Sequence, residues 1–112
     1  MESEIKEFIE DYDWSNALDN CGVNGHDIVD IIAKDEGEND GESWVAVLLL
    51  NNGLYVVIDA WCDYTGWDCQ SGGQAEEDNN LEDLRRWKMT SSQRRRLNMA
   101  LPDLDDIPNQ PK

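Results

Sequence analysis

The residues best suited to chemistry in this chain are three cysteines, one histidine and a dense population of carboxylates. Cys21-x4-His26 and Cys62-x6-Cys69 together offer a Cys3His set of the kind that holds zinc. Structural zinc sites pair their ligands at the tighter Cys-x2–4-Cys spacing, so this match is poor and no cofactor or metal is expected. A zinc-stabilised module remains a minor alternative. The acidic run Asp35–Glu42 lacks the twelve-residue EF-hand pattern. His26 stands alone, and neither a Gly-x-Ser-x-Gly elbow nor a papain-like cysteine context is present. Asp59 and Asp63 have the right chemistry for acid–base work, yet carboxylates are too frequent here for a pair to be informative. No glycine-rich phosphate loop precedes a lysine. These absences predict a protein that is not an enzyme.

Binding is the better match to the residue types. The segment from Cys62 to Ala75 reads as a loop that presents Asp63, Tyr64, Trp67 and Asp68 directly after an apolar strand. Polar and aromatic groups on a loop held by a rigid sheet are common anatomy for recognition. The alternative is a structural loop, with Trp67 tucked over the sheet edge and Asp63 and Asp68 making turn hydrogen bonds. A second set of candidate contacts is purely acidic: Glu4, Glu7, Glu10 and Asp11 near the N-terminus, and Asp35, Glu36, Glu38, Asp40 and Glu42 in the acidic run.

Charge sets the kind of partner. The formal net charge is -16. Residues 1–84 carry 22 acids against Lys6 and Lys34, whereas residues 85–112 carry seven bases and three acids. Such a surface repels nucleic acid and anionic lipid and attracts basic protein surfaces. The basic run through Arg85, Arg86, Lys88 and Arg94-Arg95-Arg96 either lies against the acidic part in an internal network or forms a second docking face. No apolar stretch reaches the ~20 residues of a membrane span. The acidic start Met-Glu-Ser-Glu-Ile-Lys-Glu lacks an apolar signal region, and free thiols suit a reducing compartment, so a cytoplasmic protein is expected.

The elements that would position these groups follow from periodicity. Ile5, Phe8, Ile9 and Tyr12 mark one face of an N-terminal helix with Ser3 as its cap, and Asp13 can cap a short turn through Trp14, Ala17 and Leu18. Three strands follow at 27–34, 43–50 and 54–62, an antiparallel meander in an α+β domain. In the first, Val29, Ile31 and Ala33 share a face. Asn52-Gly53 predicts a two-residue type I′ turn, which pairs Leu50 with Tyr55 and Trp44 with Trp61. One sheet face is then aliphatic, through Val45, Val47, Leu49, Val56, Ile58 and Ala60. The other carries Trp44, Trp61, Tyr55 and Asp59 and is either a second core or a partly open aromatic patch. Asn79 or Asn80 caps a helix through Leu81, Leu84 and Trp87. Thr90-x-x-Gln93 is a capping box for another, which extends through Leu97 and Leu101 and stops at Pro102. The single domain spans 1–101, and 102–112 forms a loosely ordered tail.

The stretch Cys62-Asp63-Tyr64-Thr65-Gly66-Trp67-Asp68-Cys69-Gln70-Ser71, followed by Leu81-x-x-Leu84-x-Arg86 and Thr90-x-x-Gln93-Arg94-x-Arg96-Leu97, resembles small uncharacterised proteins encoded by bacteriophages and prophages. The resemblance implies a phage product acting in the bacterial cytoplasm and brings no assigned activity or site residues with it. Separately, the acidity is similar to that of phage nucleic-acid mimics that block host defence, a likeness of charge alone. Together these features predict a non-catalytic acidic protein that covers a basic, nucleic-acid-binding surface on a host or phage protein. The alternative is a structural or regulatory module that binds through the Trp67 loop and the aromatic face.

Overall fold

The computed structural model describes residues 2–105. Two helices come first, α1 (Glu2–Glu10) and α2 (Tyr12–Cys21). The junction between them is set by Asp11, whose backbone is extended and whose carboxylate accepts the Trp14 N–H at 3.0 Å. Asp11 is therefore the cap, in place of Asp13, and it turns the chain so that Trp14, Ala17 and Leu18 face the same core as Phe8. The first helix already includes Ser3. Gly22, in the left-handed region, closes α2 and donates to the carbonyls of Asp19 and Leu18.

Four antiparallel strands follow in the order β1-β2-β3-β4: β1 (Ile28–Asp35), β2 (Trp44–Leu50), β3 (Tyr55–Asp63) and β4 (Gly66–Asp78). The expected meander is present with one strand more than the periodicity indicated. β4 runs through Asp68-Cys69-Gln70-Ser71-Gly72-Gly73-Gln74, which contains no alternating apolar set. An edge strand with neighbours on one side only needs none, because its ladder with β3 supplies the order. Cys62 pairs with Ser71 and Asp63 with Gly66, so residues 67–70 bulge out of the ladder.

The β2–β3 register differs by one residue from the type I′ expectation: Leu49 faces Tyr55 and Trp44 faces Ala60. The turn explains the slip. Leu50 N–H donates to Leu54 C=O at 2.9 Å, and Gly53 N–H donates to Leu50 C=O at 3.0 Å, which encloses three loop residues. Only Gly53, at φ 88°, enters the left-handed region; Asn52 does not. This is a type I turn closed by a glycine bulge. A one-residue slip flips side chains across the sheet. One face now joins Trp44, Ala46 and Leu48 to Val56, Ile58, Ala60 and Cys62 beneath α1 and α2. The other joins Val45, Val47 and Val57 to Leu84, Met89 and Leu97. Both faces are covered cores, and Trp44 and Trp61 lie on opposite sides of the sheet.

β1 departs from simple alternation as well. Register shifts after Ile28 and after Ile31 break the expected face of Val29, Ile31 and Ala33. Ile28 and Ile31 pack with the α1–α2 core, Ile32 and Ala33 with the other, and Val29 is exposed. The second core is roofed by α3 (Leu81–Asp83), a π-type turn at Leu84–Lys88, α4 (Ser91–Arg96) and α5 (Pro102–Asp105). Asn80 caps α3, and Thr90 with Gln93 forms the capping box of α4. That helix stops at Arg96, before Asn98 at φ 61°, so it does not reach Leu101. Of the expected loose tail, Pro102–Asp105 is a docked helical turn; residues 106–112 lie outside the described part.

Candidate functional site

The basic run is structural. Arg94, 5% exposed, clamps Asp105 with Nε and Nη2 at 2.6 and 2.8 Å, while its Nη1 donates to the carbonyls of Met89 and Arg85. The Asp105 side chain is fully buried, and its Oδ2 also accepts the Leu101 N–H at 2.9 Å. The hydrogen bonds from Arg94, then that from the Leu101 amide, hold the Asp105 carboxyl far below the usual range. Arg85 donates to the carbonyls of Met99 and Ala100. Arg86 pairs with Asp103 at 2.9 Å and lowers its carboxyl, the hydrogen bond contributing most. Lys88 reaches the Glu77 carbonyl. Arg96 ties α4 to the far end of the sheet through Asp35 at 2.8 Å and the Ser43 carbonyl at 2.8 Å. Guanidinium forks suit such work because one side chain satisfies several carbonyls at once. Of the two readings of this run, the internal network is realised for every base but Arg95, which is exposed and enters no ion pair among the described residues.

The acidic residues divide into those with a structural task and those without one. Asp35 is committed to Arg96 and is withdrawn from the contact set. Glu36, Glu38, Asp40 and Glu42 are exposed, and among the described residues none of them enters an ion pair. Their loop is closed tightly: Glu38 N–H donates to Glu42 C=O at 2.9 Å, and Asp40 N–H donates to Cys62 C=O at 2.9 Å. The Cys62 thiol donates to the Asn39 side chain at 3.4 Å. The carboxylates thus project from a short turn pinned to the end of β3. Glu4, Glu7 and Asp11 meet Glu36 and Lys34 around a cleft of about 270 Å³ with Phe8 and Trp14 at its floor. Glu10 faces away, beside Asp19 and His26, on a groove of about 530 Å³ between the helices and the turn at Gly25–Asp27.

In the Trp67 segment the structure places Trp67 as the structural alternative has it, over the sheet. Trp67 is buried, packs against Trp44 at 4.9 Å between ring centroids with the planes tilted by 52°, and donates its indole N–H to Asp13 at 3.0 Å. The bulge at 67–70 swings this ring off the edge strand and under α2. Burial of a ring this size contributes roughly 2–3 kcal/mol, so Trp67 belongs to the core and leaves the contact set. Asp63 accepts from the Thr65 N–H in the tight β3–β4 turn, which leaves Tyr64 exposed at its tip, and Asp68 is exposed on the bulge.

Cys21, His26, Cys62 and Cys69 do not assemble. Among the described residues no three potential ligands lie close enough to hold a metal ion. Burial raises the thiol pKa of both Cys21 and Cys62, which keeps them protonated and unreactive at neutral pH.

The sequence leaves the face of Trp61 either closed or partly open, and does not show what the ring crosses. On the sheet face roofed by the C-terminal helices, Trp61 extends past the roof and is 47% exposed. Its ring lies over Gly72, where an added Cβ would come within 2.9 Å of it. Asp59, Gln74 and Gly73 complete a small open cleft of about 220 Å³ beside it. Gln93 donates to Asp59 Oδ2 at 2.7 Å and fixes that carboxylate. The available signal was the pair Gly72-Gly73, an unexpected choice within a strand unless something large crosses it.

Comparison with family models, with curated proteins and with solved structures finds no match. The residues that resemble phage proteins fall at the β3–β4 turn and bulge (Cys62–Ser71), in α3 and the π-type turn (Leu81, Leu84, Arg86), and at α4 (Thr90, Gln93, Arg94, Arg96) and the Leu97 that follows it. Among the described residues, no helix is long and apolar enough to cross a membrane.

Proposed function

We propose that this chain is a non-catalytic acidic binding protein that covers a basic surface on a nucleic-acid-binding partner, as a phage-encoded inhibitor acting in the bacterial cytoplasm would. The observation that carries the reading is the fate of the bases: Arg85, Arg86, Lys88, Arg94 and Arg96 are turned to the protein's own carbonyls and carboxylates. They do not cancel the carboxylates of α1 and the 36–42 turn. Those groups face solvent from two rigid supports and meet along one cleft, at Glu4, Glu7, Asp11 and Glu36. A preorganised acidic surface raises association rates with basic partners and discriminates by charge more than by area. Occlusion of the partner's nucleic-acid site follows from mutual exclusion.

The test is capture from bacterial lysate, with duplex DNA as competitor. A nucleic-acid-binding protein should be retained at low salt and released both by duplex DNA and by high salt, where exposed charges are screened. The variant Glu36→Gln, Glu38→Gln, Asp40→Asn, Glu42→Gln should lose it. Retention by the neutralised variant, or indifference to DNA, overturns the proposal.

A further inference from the structure

The two edges of the sheet are protected to very different degrees. β1 carries two register shifts and Lys34, devices that discourage another strand from pairing. From Ser71 to Asp78, β4 runs in unbroken register with β3 and contains no proline and no lysine. Residues 73–77 are exposed.

The direction of the free backbone groups follows from the hairpin. Leu50 and Leu54 exchange a ladder hydrogen bond, and hydrogen-bonded pairs alternate along antiparallel strands. Val56, Ile58, Ala60 and Cys62 thus point their amides towards β2, and Tyr55, Val57, Asp59 and Trp61 towards β4. Their partners there are Asp78, Glu76, Gln74 and Gly72. Ser71, Gly73, Ala75 and Glu77 consequently direct N–H and C=O outward. The Lys88 ammonium already occupies the Glu77 carbonyl from that side. Among the described residues nothing else bonds this row of backbone groups.

We propose that the β4 edge from Ser71 to Glu77 is a strand-addition site for an extended basic segment of the partner, with one Arg or Lys side chain seated on Trp61 beside Asp59. Two features select this occupant. The Trp61 ring already reaches across Gly72 towards the edge, and its exposed face suits a cation, with the fixed Asp59 carboxylate as counter-charge. Glu76, Glu77 and Asp78 flank the site. Their charges disfavour a second copy of this chain, because edge-to-edge pairing would bring together two molecules of net charge -16. The inference rests on the reading of this chain as an acidic binder. It adds a directional, main-chain mode that charge alone does not supply.

The probe is a synthetic peptide of alternating arginine and valine, about as long as an ordinary strand, with a glutamate–valine peptide as control. Amide hydrogen exchange on the unsubstituted protein should show new protection at Ser71, Gly73, Ala75 and Glu77 with the basic peptide only, and unchanged protection at Gly72, Gln74 and Glu76. Ala75→Pro removes one outward donor while sparing the ladder to β3, and should weaken peptide affinity on the order of tenfold. Trp61→Leu should weaken it several-fold. If the peptide binds without the alternating protection, strand addition is wrong, and loss of that binding in the Glu36/Glu38/Asp40/Glu42 neutralised variant would leave the acidic-surface reading standing. If that variant binds the peptide fully and Ala75→Pro does not, the strand site survives and the acidic-turn reading fails. A dimer in sedimentation that Ala75→Pro dissolves would assign the edge to a second copy and overturn the basic occupant.

Discussion

The C-terminal arginines and the acidic turn at 36–42 are both densely charged, and the fold treats them in opposite ways. Arg94 is enclosed, with its donors spent on Asp105 and two carbonyls. Glu38, Asp40 and Glu42 hold nothing in place; their turn is closed by backbone bonds at Glu38, Asp40 and Gly41. The difference follows from the chemistry of the side chains. A guanidinium can satisfy several orphaned carbonyls at the irregular ends of short helices, which α3, α4 and α5 have in abundance. A carboxylate only accepts, and without a donor at hand it is cheapest in water. Charge density in the sequence therefore marks scaffold in one region and surface in the other.

The largest test of that contrast is Arg94→Ala. It strands a buried carboxylate and two carbonyls, and should cost roughly 3–5 kcal/mol in denaturant unfolding; a loss below about 1 kcal/mol would mean that the arginine is ornamental.

The same pair can be read through pH. The Asp105 carboxyl is held below its ordinary value of 3.8, as is that of Asp103. The stability they contribute is fully present above that value and is lost as pH falls through their lower folded values. Near-ultraviolet circular dichroism of the tryptophans should show the tertiary signal surviving mild acid and failing only well below pH 3.8. Failure well above it would mean that these two ion pairs do not govern acid unfolding.

Arg96→Ala comes next in size. It frees Asp35 and the Ser43 carbonyl, but its partner carboxylate is partly in water, so a loss of about 1 kcal/mol is expected. The smallest effect on folding belongs to the neutralised 36–42 turn. Its stability should change by less than about 0.5 kcal/mol, while partner capture disappears. Binding and folding should therefore separate cleanly in the acidic turn, whereas in the arginine run they should not.

Much of this architecture was legible in the residues. The helix face of Ile5, Phe8 and Ile9, the apolar runs of β2 and β3, the Asn80 cap and the Thr90–Gln93 capping box are local signals, and local energetics honour them. β4 was not legible, because the pattern of an edge strand is written in the strand beside it. Trp67 stays open between partner contact and cover over the sheet edge for a related reason: flanked by Asp and Gly, nothing nearby marks it as core, and only the bulge carries it to Trp44 and Asp13. The Asn51-Asn52-Gly53 segment marks a hairpin but not its loop length, and one residue of difference changes which face of β2 joins which face of β3.

The sequence by itself determined composition and local order: a strongly acidic α+β chain with its bases gathered near one end, its hairpin, and the helix caps at Asn80 and Thr90. Tertiary structure decided which charges are spent and which are free, that Trp67 is core while Trp61 is open, and that the β4 edge is bare. Each of those outcomes depends on partners distant in the chain, such as Arg96 with Asp35 or Trp61 with Gly72. Periodicity and propensity act over a few residues, and pairings of that span become fixed only when the sheet closes.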